Sequence, residues 1–527
     1  MSSTSVSSDE KAGSAAYDKA PPPAPSRRPT STQSTSFSTR TSTRPATEAA
    51  NAAIKRKFYL RLLPLIFCLN LLLYIDKGTL GQSSILGIYT AADLDNARYA
   101  DLNTFFYVGF AIGLVPMGIA INRLPVGKFV SGIVLAWAVV IGCHPLIKSF
   151  AGLAVLRSLL GFVESAVLPS IVVILNMYFT ADEQMVLSNV WYIACSLSSV
   201  PAGFIAYGSL FYDNPNLGAW QLFYIIIAAV TVAYSAVVLF FLPDSPATAR
   251  FLTLDQKVHA IRRLRVNGGV ISTNVWKWSQ FREAALDVKT WFFVLHAFLN
   301  QIPNNLTNQY PLLIVDYGFT TFQSTLMSMA FCLPAILAQL GATWMMRRWK
   351  KNSIAWIMII WYIPNTIGGI LQLALPFENK AGLLVALYLA FTFCVPWVMG
   401  LAWASAASSG HTKKISQSIF FLFENVVSNF ISPQLWQAKY LPRYYVPWAI
   451  QLVFGWVLAP LSVLALRYYL IAQNRKRAAL LAARGEEAAG LAKIIEKDDD
   501  GNLVETVVDR SLLDLTDRED LSFVYPY

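Results

Sequence analysis

Twelve apolar stretches, all but the middle pair separated by short polar connections, leave this chain few ways to fold. They lie near residues 58–89, 101–121, 127–147, 150–178, 185–208, 219–242, 290–314, 322–346, 353–375, 381–407, 415–436 and 446–470, and are numbered here as spans one to twelve. A helix needs about 20 residues to cross the hydrocarbon layer. In lipid the backbone N–H and C=O groups must be satisfied within the segment, so each stretch is expected to be helical. The spans fall six and six around one long connection, which predicts an all-α membrane protein of twelve transmembrane helices in two six-helix bundles. The expected organisation is a disordered cytosolic N-terminal tail at 1–53, a six-helix bundle at 54–242, a cytosolic middle loop at 243–289, a second six-helix bundle at 290–470 and a cytosolic C-terminal tail at 471–527.

Composition agrees with the membrane class: 55% of residues are hydrophobic and only 14% charged, more hydrocarbon than a soluble domain could hide. The net charge of +11 does not point to nucleic acid, because the basic residues lie in short clusters between spans rather than along one face. Those clusters precede span one (Lys55, Arg56, Lys57, Arg61), lie between two and three (Arg123, Lys128), fill the middle loop, and recur between eight and nine (Arg347, Arg348), between ten and eleven (Lys413, Lys414) and after twelve (Arg475, Lys476, Arg477). Alternate connections are poorer in basic residues, so both termini are expected in the cytosol. Residues 1–53 are rich in Ser, Thr, Pro and Ala, with Pro21 to Pro23 in a row, and lack both a foldable core and the apolar segment of a signal peptide. The middle loop carries a basic amphipathic run over 255–265, which reads equally as a helix on the inner membrane surface and as a tether. The tail after Arg477 reads as a helix followed by flexible chain. Cys68, Cys143, Cys195, Cys332 and Cys394 stand in apolar surroundings without C-x-x-C spacing, and the four histidines show no ligand spacing, so neither disulfides nor a metal are expected.

Against this background the charges inside spans stand out. Asp76 and Lys77 sit side by side in the apolar segment 72–81, where a charge at the bilayer centre costs roughly 2.5–3.5 kcal/mol even on lenient scales and marks a functional site by default. Neighbours on a helix point about 100° apart, so at least one of them needs a partner on another span. Span four offers Arg157 and Glu164, seven positions apart and therefore on one face. A buried carboxylate can load and release a proton, and a fixed cation can hold an anionic substrate. The same four residues would also serve as a structural ion-pair lattice between spans one and four. Span seven carries Gln301, Asn304, Asn305, Asn308 and Gln309 around Pro303 and Pro311, a polar stripe on an interrupted helix that suits either a cavity wall or interhelical hydrogen bonding. Span eleven adds Glu424, Asn425, Asn429 and Gln434, with Glu424 and Gln434 as further candidates, and His296 reads as a structural histidine.

At these residues the chain resembles the fungal anion:cation symporters of the major facilitator superfamily, the group that includes the allantoate permeases and related vitamin and amino-acid carriers. The resemblance covers about 55–470 and returns in the tail. It rests on Tyr74-Ile75-Asp76-Lys77, on Arg157-x-x-x-Gly161-x-x-Glu164, on Pro243-Asp244-Ser245-Pro246 after span six, on Gly410-His411-Thr412-Lys413-Lys414, on Ser432-Pro433-Gln434 and on Asp514-Leu515-Thr516-Asp517. It implies a central site reached by alternating access, with Asp76 and Glu164 handling protons, Lys77 pairing with a substrate carboxylate, Arg157 pairing with the acids, and Asn429 on the second half's side. Many relatives carry arginine at Lys77, and an ammonium cannot grip a carboxylate with a planar fork. Asn122 stands where the superfamily's loop motif prefers aspartate, and bulky Phe420, Phe421 and Phe423 occupy span eleven where relatives are often small.

The expected function is therefore proton-coupled import of a small organic anion or zwitterion, of the allantoate, vitamin, amino-acid or small-peptide type. Implied partners are the substrate, protons and the lipid bilayer, with no nucleic acid, no cofactor and no enzyme activity. The chain is expected to work as a monomer in the plasma membrane, with a vacuolar or other endomembrane as the alternative. Two rivals keep the same fold: a nutrient receptor that signals through its tails, and a drug:proton antiporter. The latter usually shows a glycine-rich span five, where this chain has Pro201-Ala202-Gly203 and Gly208 behind Ser196, Ser198 and Ser199.

Overall fold

The computed structural model describes residues 43–179, 181–212, 214–267, 276–349, 352–484, 491–497, 503–509 and 514–527. The expectation of a disordered tail falls mostly on residues 1–42, outside the described set. Residues 50–527 form one compact unit.

All twelve spans are helical. Nine helices are long and apolar enough to cross a membrane by length and composition among the described residues, from Asn51–Lys77 to Tyr445–Ala483. The other three are spans five (Ala181–Leu197 and Ser199–Ser209), seven (Val288–Gln301, Ile302–Asn305 and Leu306–Asp316) and eleven (His411–Ile431). These are broken or carry the most polar side chains. Span twelve runs past its expected end and continues as Ala459–Arg484.

Breaks follow position in the bundle. Spans three, six and nine run uninterrupted as Val126–Cys143, Ala219–Phe241 and Ile354–Ala374. Spans one, four, seven and ten are interrupted near their middles: at Gly78, between Glu164 and Val167, at the 3₁₀ turn Ile302–Asn305 and at the 3₁₀ turn Phe391–Phe393. Irregular backbone at membrane depth is tolerated where it is buried in protein or lines a cavity; the breaks of spans one, seven and ten line one, and that of span four is buried behind it.

Buried apolar side chains form two clusters, one running from Ile54 to Ala260 and one from Phe293 to Tyr525. Within the first, spans two and four touch backbone to backbone: a Cβ at Gly109 would collide with the Ser158 carbonyl, and one at Gly161 with that of Phe106. Such contacts replace the hydrophobic drive that lipid does not supply. Large apolar residues such as Ile112, Val115, Phe240 and Leu337 face outward, as the surface of a lipid-embedded bundle requires.

On the face with the basic connections, the cytosolic one by the charge rule, the middle loop packs rather than dangles. Asp244 accepts from the Lys128 backbone N–H at 3.2 Å at the start of span three, and Lys57 Nζ donates to Gln256 Oε1 at 2.7 Å on the helix Leu254–Asn267. A second helix, Trp278–Leu286, abuts span eleven, where Gln280 Oε1 accepts from the Thr412 N–H at 3.0 Å. The C-terminal tail departs from the expectation of flexible chain. Strands Leu491–Lys497 and Leu503–Asp509 pair antiparallel, and residues 514–527 dock against the second cluster, with Asp517 and Thr516 fully buried and Tyr525 in the core.

Candidate functional site

A central cavity of about 200 Å³ lies between the two clusters, walled by the interrupted spans. Span one contributes Tyr74, Asp76, Lys77 and Gly78, because its helix pauses at Gly78 and turns its polar side chains inward just before the pause. The Thr79 hydroxyl closes the pause by donating to the Asp76 carbonyl at 2.6 Å. Asp76 itself is buried, with Oδ2 accepting from Trp137 Nε1 at 2.8 Å.

Lys77 is the cation with access to the cavity from this pair. Its Nζ lies 3.5 Å from Glu164 Oε1, and its side chain is 26% exposed while that of Glu164 is 1% exposed. Glu164 therefore stands behind Lys77 rather than on the wall. The ammonium also lies 5.2 Å from the centre of the Tyr74 ring. Arg157 reaches the wall too, yet its guanidinium donates to the Tyr224 hydroxyl of span six, and Tyr224 stacks on His144 at 5.1 Å. The anticipated pairing of Arg157 with the acids is thus replaced by a neutral partner. Arginine keeps its charge in any setting, so this site holds a fixed positive field that a phenol orients without cancelling.

The second half brings Gln301, Asn304 and Asn308 to the wall from the 3₁₀ turn and its flanks. Asn304 Nδ2 donates to Asn429 Oδ1 at 2.8 Å, and Asn429 Nδ2 donates to the Asn425 carbonyl at 2.7 Å. Asn429 is thus one layer behind the cavity, with Asn425 on it. Gln301 Oε1 and Asn308 Oδ1 are buried acceptors without a protein donor. Glu424 is also off the wall; it accepts from Trp397 Nε1 at 3.2 Å and so holds an indole that does line the cavity.

Two candidates lie elsewhere. Asn305 accepts from Asn103 Nδ2 at 3.1 Å, and Gln434 Nε2 donates to Asp101 Oδ1 at 3.0 Å, so both tie span two to the second half on the outer side. Tyr99 adds a bond from its hydroxyl to the Asn308 carbonyl at 3.3 Å, and Gly81 lies so near the same residue that a Cβ there would come within 2.9 Å of its carbonyl oxygen. These contacts close the cavity toward the outer face.

Sequence reasoning missed the aromatic and thiol part of the wall: Tyr74, Tyr107, Tyr192, Trp397, Cys195 and Cys394. The two cysteines read as inert core residues, but here they face the cavity from spans five and ten. A usable signal existed for Tyr74 alone, which stands three residues before Lys77 and hence on the same helix face.

The model of the Major Facilitator Superfamily matches residues 66–433. An uncharacterized transporter of Schizosaccharomyces pombe is 37% identical over 480 residues, 90% of this chain and 84% of that one. The high affinity cysteine transporter of Saccharomyces cerevisiae is 37% identical over 481 residues, 90% of each chain. Among solved structures, a D-xylose-proton symporter superposes with a TM-score of 0.58 at 12% identity, covering 77% of this chain and 97% of that one, which shows the shared fold. The broken helices, the central charged cavity and these matches together identify the chain as a member of the Major Facilitator Superfamily, a multi-pass membrane carrier of small organic solutes rather than an enzyme.

Proposed function

We propose that this carrier is a proton-coupled symporter that imports a small amino-acid-like zwitterion or organic anion across the plasma membrane, working as a monomer, and that cysteine is the first substrate to test. The observation that carries the reading is the stacking in depth of Lys77 on the wall and Glu164 behind it. An arriving carboxylate competes with Glu164 for the Lys77 ammonium. A buried carboxylate that loses its counter-ion takes up a proton rather than hold a bare charge in a dry interior, so substrate and proton load together. Asp76, buried against Trp137, is the second proton-handling group, and Arg157 supplies the standing positive field. The unpaired amide oxygens of Gln301 and Asn308 and the Trp397 indole offer acceptors for an ammonium across the cavity. The substrate type is supported by the name of the yeast relative, which transports cysteine.

The test is uptake and counterflow in proteoliposomes. Glu164→Gln removes the group that takes the proton but preserves shape, so accumulation driven by a pH gradient is expected to fall at least about tenfold while exchange of labelled for unlabelled substrate continues. If Glu164→Gln still concentrates substrate against its gradient, Glu164 is not the coupling residue. A separate variant tests the outer closure. Gly81→Leu places a side chain against the Asn308 backbone. It is expected to hold the outer side open, raising labelling of the cavity cysteines Cys195 and Cys394 by a membrane-impermeant thiol reagent added outside while net uptake drops by about tenfold or more. Unchanged labelling would show that Gly81 is not part of the seal.

A further inference from the structure

A second polar cavity, of about 180 Å³, opens on the cytosolic face where the end of span twelve meets the docked tail. We propose that it is a binding site for a phosphoryl group, completed by the C-terminal tail and separate from the transport cavity. Tyr469, Gln473 and Arg477 line it from the helix Ala459–Arg484 at intervals of four residues, which puts three donors on one face. Lys289 enters from the start of span seven beside the one lining carboxylate among the described residues, Asp287, and the tail adds Arg518 and Tyr525.

The cations around this cavity are not equally partnered. Lys289, Lys413 and Arg518 each have a carboxylate of Glu283, Asp287 or Asp517 within 4 Å, whereas among the described residues Arg477 has none. Arg477 is 8% exposed; among the described residues its terminal nitrogens donate to neutral oxygens, the Tyr525 hydroxyl at 3.1 Å and the Asp520 carbonyl, and its Nε finds no acceptor. Arg518 lies 3.9 Å from Glu283 and from Asp287 and is 53% exposed, and it already lines the cavity. A buried guanidinium without a carboxylate partner beside a second, exposed one matches the three oxygens of a phosphoryl group, which take paired N–H donors. Either a soluble phosphate or the phosphorylated headgroup of an inner-leaflet lipid carries that chemistry, and basic pockets on the cytosolic side of membrane helices are known to take such headgroups. Because Arg518 and Tyr525 belong to the tail, an occupied site keeps the tail docked.

The experiment uses the full-length protein in detergent and follows tryptic cleavage after Arg518. Inorganic phosphate is expected to slow that cleavage at least about fivefold relative to sodium chloride of equal ionic strength, and Arg477→Gln should abolish the protection. Since Arg477→Gln could itself undock the tail, Gln473→Leu serves as the second variant; its cleavage without phosphate should match the parent, and its protection by phosphate should be lost. Reconstitution in phosphatidylcholine vesicles with or without a phosphorylated phosphoinositide then identifies the source: protection by the lipid without added phosphate assigns a headgroup, and protection by phosphate alone assigns a soluble anion. Absence of protection by both, equal protection by chloride, or phosphate protection that survives in both variants overturns the proposal.

Discussion

Lys77→Ala is expected to abolish saturable uptake, with apparent affinity lowered about a hundredfold or more. The ammonium is the one cation that both reaches the wall from span one and is held by a carboxylate that substrate could displace. Truncating one partner of a desolvated charge pair typically costs about 2–5 kcal/mol, much of it from the charge left behind, and here that charge is Glu164. The alanine variant should therefore bind a proton at Glu164 permanently and lose the link between substrate and proton. Lys77→Arg separates charge from shape. It keeps the cation but extends a planar fork, so transport should persist with altered substrate preference. Substrate-dependent thermal shift and initial-rate uptake on the three proteins decide the matter. If Lys77→Ala binds substrate like the parent, the carboxylate is recognised elsewhere, with Arg157 the remaining cation on the wall.

How far this site could be read from the sequence depended on what kind of residue each part used. A charge in an apolar stretch announces itself, so Asp76, Lys77, Arg157 and Glu164 and the amides of span seven were visible, as were all twelve spans. A tyrosine, tryptophan or cysteine in a membrane helix looks the same whether it faces lipid, a neighbouring helix or a cavity. Tyr192, Trp397, Cys195 and Cys394 were therefore hidden. Pairing across helices was also illegible: nothing in the sequence links Arg157 to Tyr224, or Asp76 to Trp137. Depth from the wall was the third gap. Asn305 and Asn308 share a polar stripe and both bond to Asn103, yet of the two Asn308 reaches the cavity while Asn305 stands behind it. The tail was misread for a related reason. Lys289 and Lys413 read as basic residues of the connections, and the tail after Arg477 read as a helix followed by flexible chain, because their complementarity exists only after folding brings 228 positions of separation to 2.8 Å.

That complementarity makes the second large effect. Asp517→Ala is expected to destabilise the second bundle by about 3 kcal/mol, because it takes from buried Lys289 its nearest carboxylate, leaving Asp287 at 3.7 Å, and from buried Lys413 one of three. Asp517 Oδ2 lies 2.8 Å from Lys289 Nζ and Oδ1 lies 2.8 Å from Lys413 Nζ; all three side chains are at most 2% exposed. Tyr525 donates to the same carboxylate at 2.6 Å, and Ser409 holds the tail backbone through Leu515. Burial would raise the Asp517 carboxyl, but Lys289 and Lys413 outweigh it and hold the group well below the usual carboxylate range. A depressed folded value means that the contribution is complete above the unfolded value of about 3.9 and is lost only as pH falls below it toward the folded one. Docking through Asp517 should accordingly be insensitive to pH across the neutral and mildly acidic range. Asp517→Asn, which keeps the shape, should be nearly as damaging as alanine. A triple replacement, Lys289→Met, Lys413→Met and Asp517→Leu, should recover only part of the lost stability, because it removes the two ammoniums yet leaves the Asp287 carboxylate, 6% exposed, with Arg518 at 3.9 Å as its remaining partner. Thermal unfolding of the four proteins reads this directly. If Asp517→Ala unfolds within a degree of the parent, the tail is an ornament on the bundle and not part of its core.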